Sequence, residues 1–217
     1  MLRRSGSIER LAGLHHAELA FAAPLSPSVL PRPDFHRVVM VATWDSDQAV
    51  DRFLSSQLAE EMAWDWGVRL APVRAHGEWP GLPSDVDRSR HVRCHGPVAV
   101  LTLGRLRLRR AAAFFRASAR AEAQILRTPG LIWATGIGRP PFVGTCSLWR
   151  DSHPLEQFAY GDRSSGHGQA ISADQRAPFH HVSAFVRFRP YGSVGALGGS
   201  NPLDAHWADD ATAGIAR

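Results

Sequence analysis

The chain carries an internal repeat, and a duplicated chain of 217 residues is restricted to folds built from two like units. Three blocks recur in the same order in both halves. Ala12-Gly-Leu14 answers Pro129-Gly-Leu131. Trp44-Asp-Ser-Asp-Gln-Ala-Val-Asp-Arg-Phe53 answers Trp149-Arg-Asp-Ser-His-Pro-Leu-Glu-Gln-Phe158, with Val50/Leu155, Asp51/Glu156 and Arg52/Gln157 agreeing in type. Val68-Arg-Leu-Ala-Pro72 answers Val186-Arg-Phe-Arg-Pro190, and Gly77-x-Trp-x-Gly81 answers Gly195-x-Leu-x-Gly199. The blocks lie 117, 105 and 118 residues apart, and their shared order points to duplication rather than chance.

The second copy is the more complete. Residues 98–107 read as a strand, and residues 108–126 as a helix with Leu108, Ala112, Phe115, Ala119 and Leu126 on one face. Arg109, Arg116, Arg120 and Arg127 line up about a quarter-turn away. Thr128-Pro-Gly130 stops that helix. Strands follow at 131–136 and 142–149, then a helix over 152–160 with Pro154 in its first turn, then a strand at 184–189. The order βαββαβ is the ferredoxin-like unit. The first copy predicts strands at 16–22, 37–44 and 67–73 and a helix over 46–61, without a counterpart of the strand at 98–107. Two such halves facing each other would form one α+β barrel, a dimeric-type barrel whose first repeat is truncated at its N-terminal side. The division is 1–93 for the first half with its Pro/Gly-rich linker from residue 77, 94–203 for the second half, and 204–217 for a tail. A three-stranded first sheet would leave an exposed edge, which suits pairing with a second copy of the chain.

Composition excludes several classes. No run of about 18 apolar residues occurs, so no membrane-spanning helix is expected. Basic residues follow Met1 without an apolar signal core behind them, which with two cysteines, Cys94 and Cys146, suits a reduced cytoplasmic setting. The net charge of +5 is carried by arginine, since the chain has no lysine. Ten arginines and one acid lie between Arg88 and Arg127. That stripe lacks interleaved aromatics, so nucleic acid is not the expected partner. A solvated face is its default reading, and a resting contact with an acidic membrane surface is the functional one. The eleven histidines show no His-x-x-x-His, Cys-x-x-Cys or His-Glu-x-x-His spacing, which argues against zinc. Neither a nucleophile elbow nor a glycine-rich phosphate loop is present.

With those features in place, the sequence resembles the spheroidene monooxygenase-like proteins, a family named for a bacterial carotenoid oxygenase. The residues that carry the likeness are Pro31-Arg-Pro33 before Val38-Val-Met-Val-Ala-Thr-Trp44; Gly96-Pro-Val-Ala-Val-Leu-Thr102; Pro129-Gly-Leu131 with Gly136-Ile-Gly138; Ser147-Leu-Trp149; His167 with Ala170-Ile171; Val186-Arg-Phe-Arg189; and Gly198-Gly-x-x-Pro-Leu203. They run from about Ala12 to Leu203. The resemblance implies a dimeric α+β-barrel fold, a bound haem, and oxygen insertion into a lipophilic polyene.

Haem needs one protein ligand to its iron and an apolar slot. His167 is the expected iron ligand, at a place similar to the axial histidine of small haem-degrading barrels, although Ser164-Ser-Gly-His-Gly168 also reads as a plain turn. His180 and His181 are the next candidates. Arg139 could meet a propionate through its guanidinium fork. Trp149 and Phe158 could flank the ring, and core packing explains both equally well. The Cys94-His95 pair is expected to be inert. Two functions follow: a haem-dependent monooxygenase of a carotenoid-like or other small apolar substrate, or a non-catalytic barrel that binds a small lipophilic ligand. The truncated first half and the stretch Pro178-Phe-His-His181, where the family carries Trp-Phe-x-Glu, favour the second.

Overall fold

The structure is a computed structural model that describes residues 11–30, 32–89, 96–160 and 166–207, with backbone placement alone for 157–160, 166–168, 171 and 175. The pair Cys94-His95 lies outside the described residues. The first half comprises β1 (Leu14–Ala23), β2 (Asp34–Trp44), α1 (Asp47–Leu54), α2 (Gln57–Met62) and β3 (Trp66–Gly77). The second comprises β4 (Val98–Leu106), a single 3-10 turn (Leu108–Arg110), α3 (Ala111–Ile125), β5 (Leu131–Arg139), β6 (Phe142–Trp149), α4 (Ser152–Tyr160), α5 (Gly166–Arg176) and β7 (His180–Gly195).

All seven strands join one antiparallel sheet in the order β2-β1-β5-β6-β4-β7-β3. The run β5-β6-β4-β7 is the ferredoxin-like order, so the second half folds as its sequence predicts. The first half is split. Its β1 pairs with β5 through Phe21↔Gly138 to Ala23↔Gly136, and its β3 pairs with β7 from Trp66↔Gly195 to Gly77↔Ala184. Each half therefore joins the other at two seams. In the second half β4 lies between β6 and β7; among the described residues no strand lies between their counterparts β2 and β3. Val39 and Val41 of β2 and Leu70 and Ala75 of β3 nonetheless share one core with Leu101, Leu103, Ile137, Phe142, Cys146, Ala184 and Val186. Among the described residues the sheet is curled into a barrel that is one strand short between β2 and β3. Strand β4 is buried along most of its length because α3 and α4 cover one face and the barrel interior the other, which is why it reads as a near-continuous apolar run.

The duplication is visible atom by atom. Trp44 pairs with Leu14 and Trp149 with Leu131, and each hairpin has a register shift in the next step, between Leu14 and His16 and between Leu131 and Trp133. The helix-to-strand ion pair repeats too: Arg69 of β3 holds Asp51 of α1, and Arg187 of β7 lies 3.1 Å from Glu156 of α4. The Ala196 N–H donates to the Asp65 carbonyl at 2.9 Å, and the Glu78 N–H to the Ser183 carbonyl at 3.2 Å, so the two ends of the β3–β7 ladder close alike.

The segments that follow β3 and β7 also correspond. Residues after Gly195 close one end of the barrel with Leu203 and Trp207, anchored where the Asn201 side-chain oxygen accepts from the Trp66 indole N–H at 3.1 Å. Residues after Gly77 close the other end and the seam between β2 and β3 with Trp79, Leu82 and Val86. The Ala75 N–H donates to the Asp87 carbonyl there at 2.9 Å. The stretch read as a linker thus supplies part of the core.

Three elements depart from the sequence reading. The helix expected over 46–61 is two helices, because Ser56 turns the chain: its hydroxyl donates to the Phe53 carbonyl at 2.6 Å and its oxygen caps α2 at the Ala59 N–H. The helix expected over 108–126 starts with the tighter 3-10 turn, which rotates the face that follows. Ala119 and Ile125 are buried, while Leu108 and Leu126, expected inside, are exposed. Finally, residues read as a turn around His167 form the start of α5, whose Ala173 packs near Phe114, Phe115 and Phe179.

Candidate functional site

Alternation along β1 puts His16, Glu18 and Ala20 on one side, and Ala20 belongs to the barrel core. The same inward positions of β5, 117 residues on, are Trp133, Thr135 and Ile137. The two halves match in backbone there and differ in chemistry, because one carries a carboxylate. Glu18 is 4% exposed. Its Oε1 is held by Arg105 of β4, and His16 Nε2 lies 3.3 Å from the same oxygen. Arg139, at the end of β5, brings Nη2 to 3.9 Å from Oε2. The Arg105 guanidinium sits 5.4 Å from the Trp79 ring centroid, and Trp79 packs on Phe142 with ring centroids 5.6 Å apart. Two buried polar atoms nearby have no partner among the described residues: the Trp79 indole N–H and the Thr43 hydroxyl.

This end of the barrel is therefore a charged mouth over an apolar interior. The opposite end, where Thr135 donates to the Gly136 carbonyl at 3.0 Å and Trp133 packs with Leu203, is neutral. Burying a carboxylate with one strong partner costs free energy that a neutral pair avoids. The fold does without it at the equivalent position, so its cause is local to the mouth.

A second histidine environment lies on the outer face. His180, at the start of β7, occupies the room left by Gly104, where a Cβ would stand 2.8 Å from Nε2. Phe114 and Phe179 enclose it, the Phe114 ring centroid at 5.2 Å, and Nδ1 is 3.7 Å from Asp174 of α5. Burial pushes the imidazole below its usual pKa range, with Asp174 pulling the other way.

The expected site residues separate in the structure. Trp149 is fully buried on the outer face with Ile125 and Leu155, and its indole N–H donates to Ser147 at 2.9 Å. Phe158 stands on α4 and His167 in the first turn of α5, both in the helical layer; their side chains lie outside the described residues. Arg139 faces the interior. Leu131↔Trp149 and Arg139↔Phe142 mark opposite ends of one hairpin, roughly 25 Å apart at about 3.3 Å per residue. Arg139 and Trp149 thus do not serve one porphyrin.

Haem requires an imidazole nitrogen aimed into an opening. His180 has the chemistry of a neutral ligand, but Nε2 faces the sheet at Gly104 and Nδ1 faces Asp174, so it does not fit. Among the described residues no group of three or more His, Cys, Asp or Glu could hold a metal ion.

On the outer helix, Arg109, Arg116, Arg120 and Arg127 are exposed, and Arg120 and Arg127 border a shallow surface groove of about 450 Å³. No helix among the described residues is long and apolar enough to cross a membrane.

Sequence reading had Arg139 but missed Glu18, Arg105, His16 and Trp79. The signal for Glu18 was a single acid inside an otherwise apolar alternating strand. Nothing local marked Arg105, one arginine in a stretch dense with them.

Compared with known proteins, the chain is 26% identical over 208 residues to spheroidene monooxygenase of Cereibacter sphaeroides, covering 88% of this chain and 62% of that one. It is 29% identical over 139 residues to spheroidene monooxygenase of Rhodobacter capsulatus, covering 63% of this chain and 57% of that one. The chain thus spans about six-tenths of the length of these curated relatives. No protein-family profile matches it. Among solved structures, a proposed monooxygenase of Fusobacterium nucleatum aligns with a TM-score of 0.42 at 9% identity, covering 89% of this chain and 84% of that one. An anthrone oxidase-like protein aligns with a TM-score of 0.37 at 12% identity, covering 92% and 89%.

Proposed function

We propose that this chain, a relative of the spheroidene monooxygenases, is an oxygenase that inserts oxygen into a lipophilic, polyene-like substrate. The observation that carries the reading is the sequence likeness to two such enzymes, which extends across both halves of the barrel. Haem enters this reading through the resemblance, with His167 on the helical layer as its iron ligand. The exposed arginines along α3 suit a resting place on an acidic membrane that holds the substrate.

A second reading has its own support. The seam between β2 and β3 is filled from inside by Trp79, Leu82 and Val86, which leaves a packed interior suited to a non-catalytic barrel that carries a small lipophilic ligand on its surface. Incubation of the purified protein with an acyclic carotenoid, oxygen and a reductant, followed by mass analysis, separates the two. A product heavier by oxygen supports the enzyme. Recovery of bound, unaltered carotenoid supports the carrier.

A further inference from the structure

The mouth of the barrel holds an unequal set of charges. Arg105 and Arg139 converge on a single carboxylate, that of Glu18, with His16 Nε2 beside it. Arg105 and His16 are both within hydrogen-bond distance of Glu18; Arg139 stands at 3.9 Å, too far to commit a donor to it. The Arg139 side chain is 40% exposed, so its fork is reachable from solvent. The Arg105 guanidinium lies 5.4 Å from the centroid of the Trp79 ring, whose indole N–H is a buried donor with no acceptor among the described residues. A buried donor left without an acceptor is unfavourable, so the fold gains from a ligand that accepts it. Two cations, one anion and an orphaned donor describe a place short of one negatively charged acceptor. The other half of the barrel, alike in backbone, has Thr135 in place of Glu18 and Ala22 in place of Arg139. The charge set is thus no requirement of the fold.

We propose that this mouth binds one small organic carboxylate, held by the Arg139 fork and the neighbouring Arg105 and Trp79 donors. A planar carboxylate matches a guanidinium in two parallel hydrogen bonds, which a spherical anion does not. Glu18 tunes the site by neutralising one of the two cations and orients Arg105. The site is independent of the oxygenase reading, because it is measured without substrate.

The test is calorimetric titration of the full chain with benzoate at fixed ionic strength, balanced with chloride. One benzoate per chain is expected. Arg139→Gln should weaken binding at least about tenfold, the loss of roughly one charge-assisted hydrogen bond. Arg139→Lys, which keeps the charge and loses the fork, should weaken it less than Arg139→Gln. Glu18→Gln should tighten binding, because it frees the positive charge that Glu18 neutralises, whereas loss of a merely structural ion-pair partner would loosen it; a near-ultraviolet circular dichroism spectrum checks its folding, and the two Arg139 variants decide the matter if it does not fold. The proposal is overturned by an absence of benzoate binding, by Arg139→Gln binding like the parent chain, by chloride competing as well as benzoate, or by folded Glu18→Gln binding more weakly.

Discussion

Gly13 and Gly130 hold the same position in the two halves of the barrel, and each closes the first hairpin of its half in the same way. The Asp45 N–H donates to the Gly13 carbonyl and the Arg150 N–H to the Gly130 carbonyl, both at 2.8 Å. Their φ angles are +84° and +85°. A Cβ on Gly13 would stand 2.6 Å from the Ala49 Cβ, and one on Gly130 would stand 2.5 Å from the Pro154 Cγ. Ala49 and Pro154 are themselves equivalent, five residues after Trp44 and Trp149. The left-handed turn is therefore what lets the helix after each hairpin, α1 and α4, lie close over it.

Gly13→Ala and Gly130→Ala should each destabilise the protein. The left-handed backbone alone costs about 1–2 kcal/mol for an alanine, and the close contact adds to it. At 217 residues that is a fall of several degrees in the unfolding midpoint, at about 2–4 °C per kcal/mol. Thermal unfolding of both variants checks it. Two similar losses would show that the copies still carry the same local constraint, and a loss at only one would show that they have diverged.

Trp79→Ala should be among the most damaging core substitutions. Trp79 is 7% exposed, packs on Phe142 and closes the seam where, among the described residues, no strand lies between β2 and β3. Large aromatic truncations in a core cost about 3–5 kcal/mol. Leu30→Ala, at a side chain 76% exposed, serves as the control and should be near neutral. Urea unfolding measures both.

The duplicated architecture was legible because the repeat is written in residues whose roles are local: turn glycines, strand-ending tryptophans, and the Asp51/Glu156 and Arg69/Arg187 positions that turn out to be ion pairs. What was not legible depends on contacts across the barrel. Glu18 and Arg105 are 87 residues apart in sequence and meet only because β1 reaches the interior beside β5. Trp79 sits in a stretch with the Pro, Gly and charge content of a linker, and its burial follows from the space beside β2 and β3, which no periodicity announces. Helix α5 has a weak polar–apolar pattern and is fixed by packing against α3, so its residues read as a turn.

His180 predicts a pH dependence. Its folded pKa is depressed, so the unfolded chain binds the proton more readily than the native one. Stability supplied by the neutral ring is present above the ordinary histidine value of 6.5 and falls as pH drops below it towards the folded value. His180→Gln should flatten this slope. Urea midpoints at pH 7.5 and 5.5, both reported for the variant and the parent chain, give the comparison; equal slopes would remove His180 as the cause.

Cys146 lies in the barrel core, and burial pushes its thiol up to about 12. The reactive species is the thiolate, so the native thiol should be inert at neutral pH. In a Cys94→Ser background, a disulfide exchange reagent should find no reactive sulfur in native protein and one in urea. Reaction in the native state would show that the core opens locally.

The cofactor is tested at His167. The residue stands in the first turn of α5, in the layer outside the sheet, whereas Arg139 stands in the mouth and Trp149 on the far end of the same hairpin. If haem is held on the helical layer, His167→Ala should lower haem affinity and shift the Soret band, because the axial imidazole sets the iron's electronic state. Arg139→Gln should leave both unchanged, since Arg139 faces the barrel interior and His167 stands in the helical layer on the other side of the sheet. Haem titration of both variants, read by absorption near 400 nm, distinguishes the arrangements. Loss of haem in Arg139→Gln with retention in His167→Ala would move the cofactor to the mouth. A parent chain that develops no Soret band would favour the lipophilic-ligand carrier.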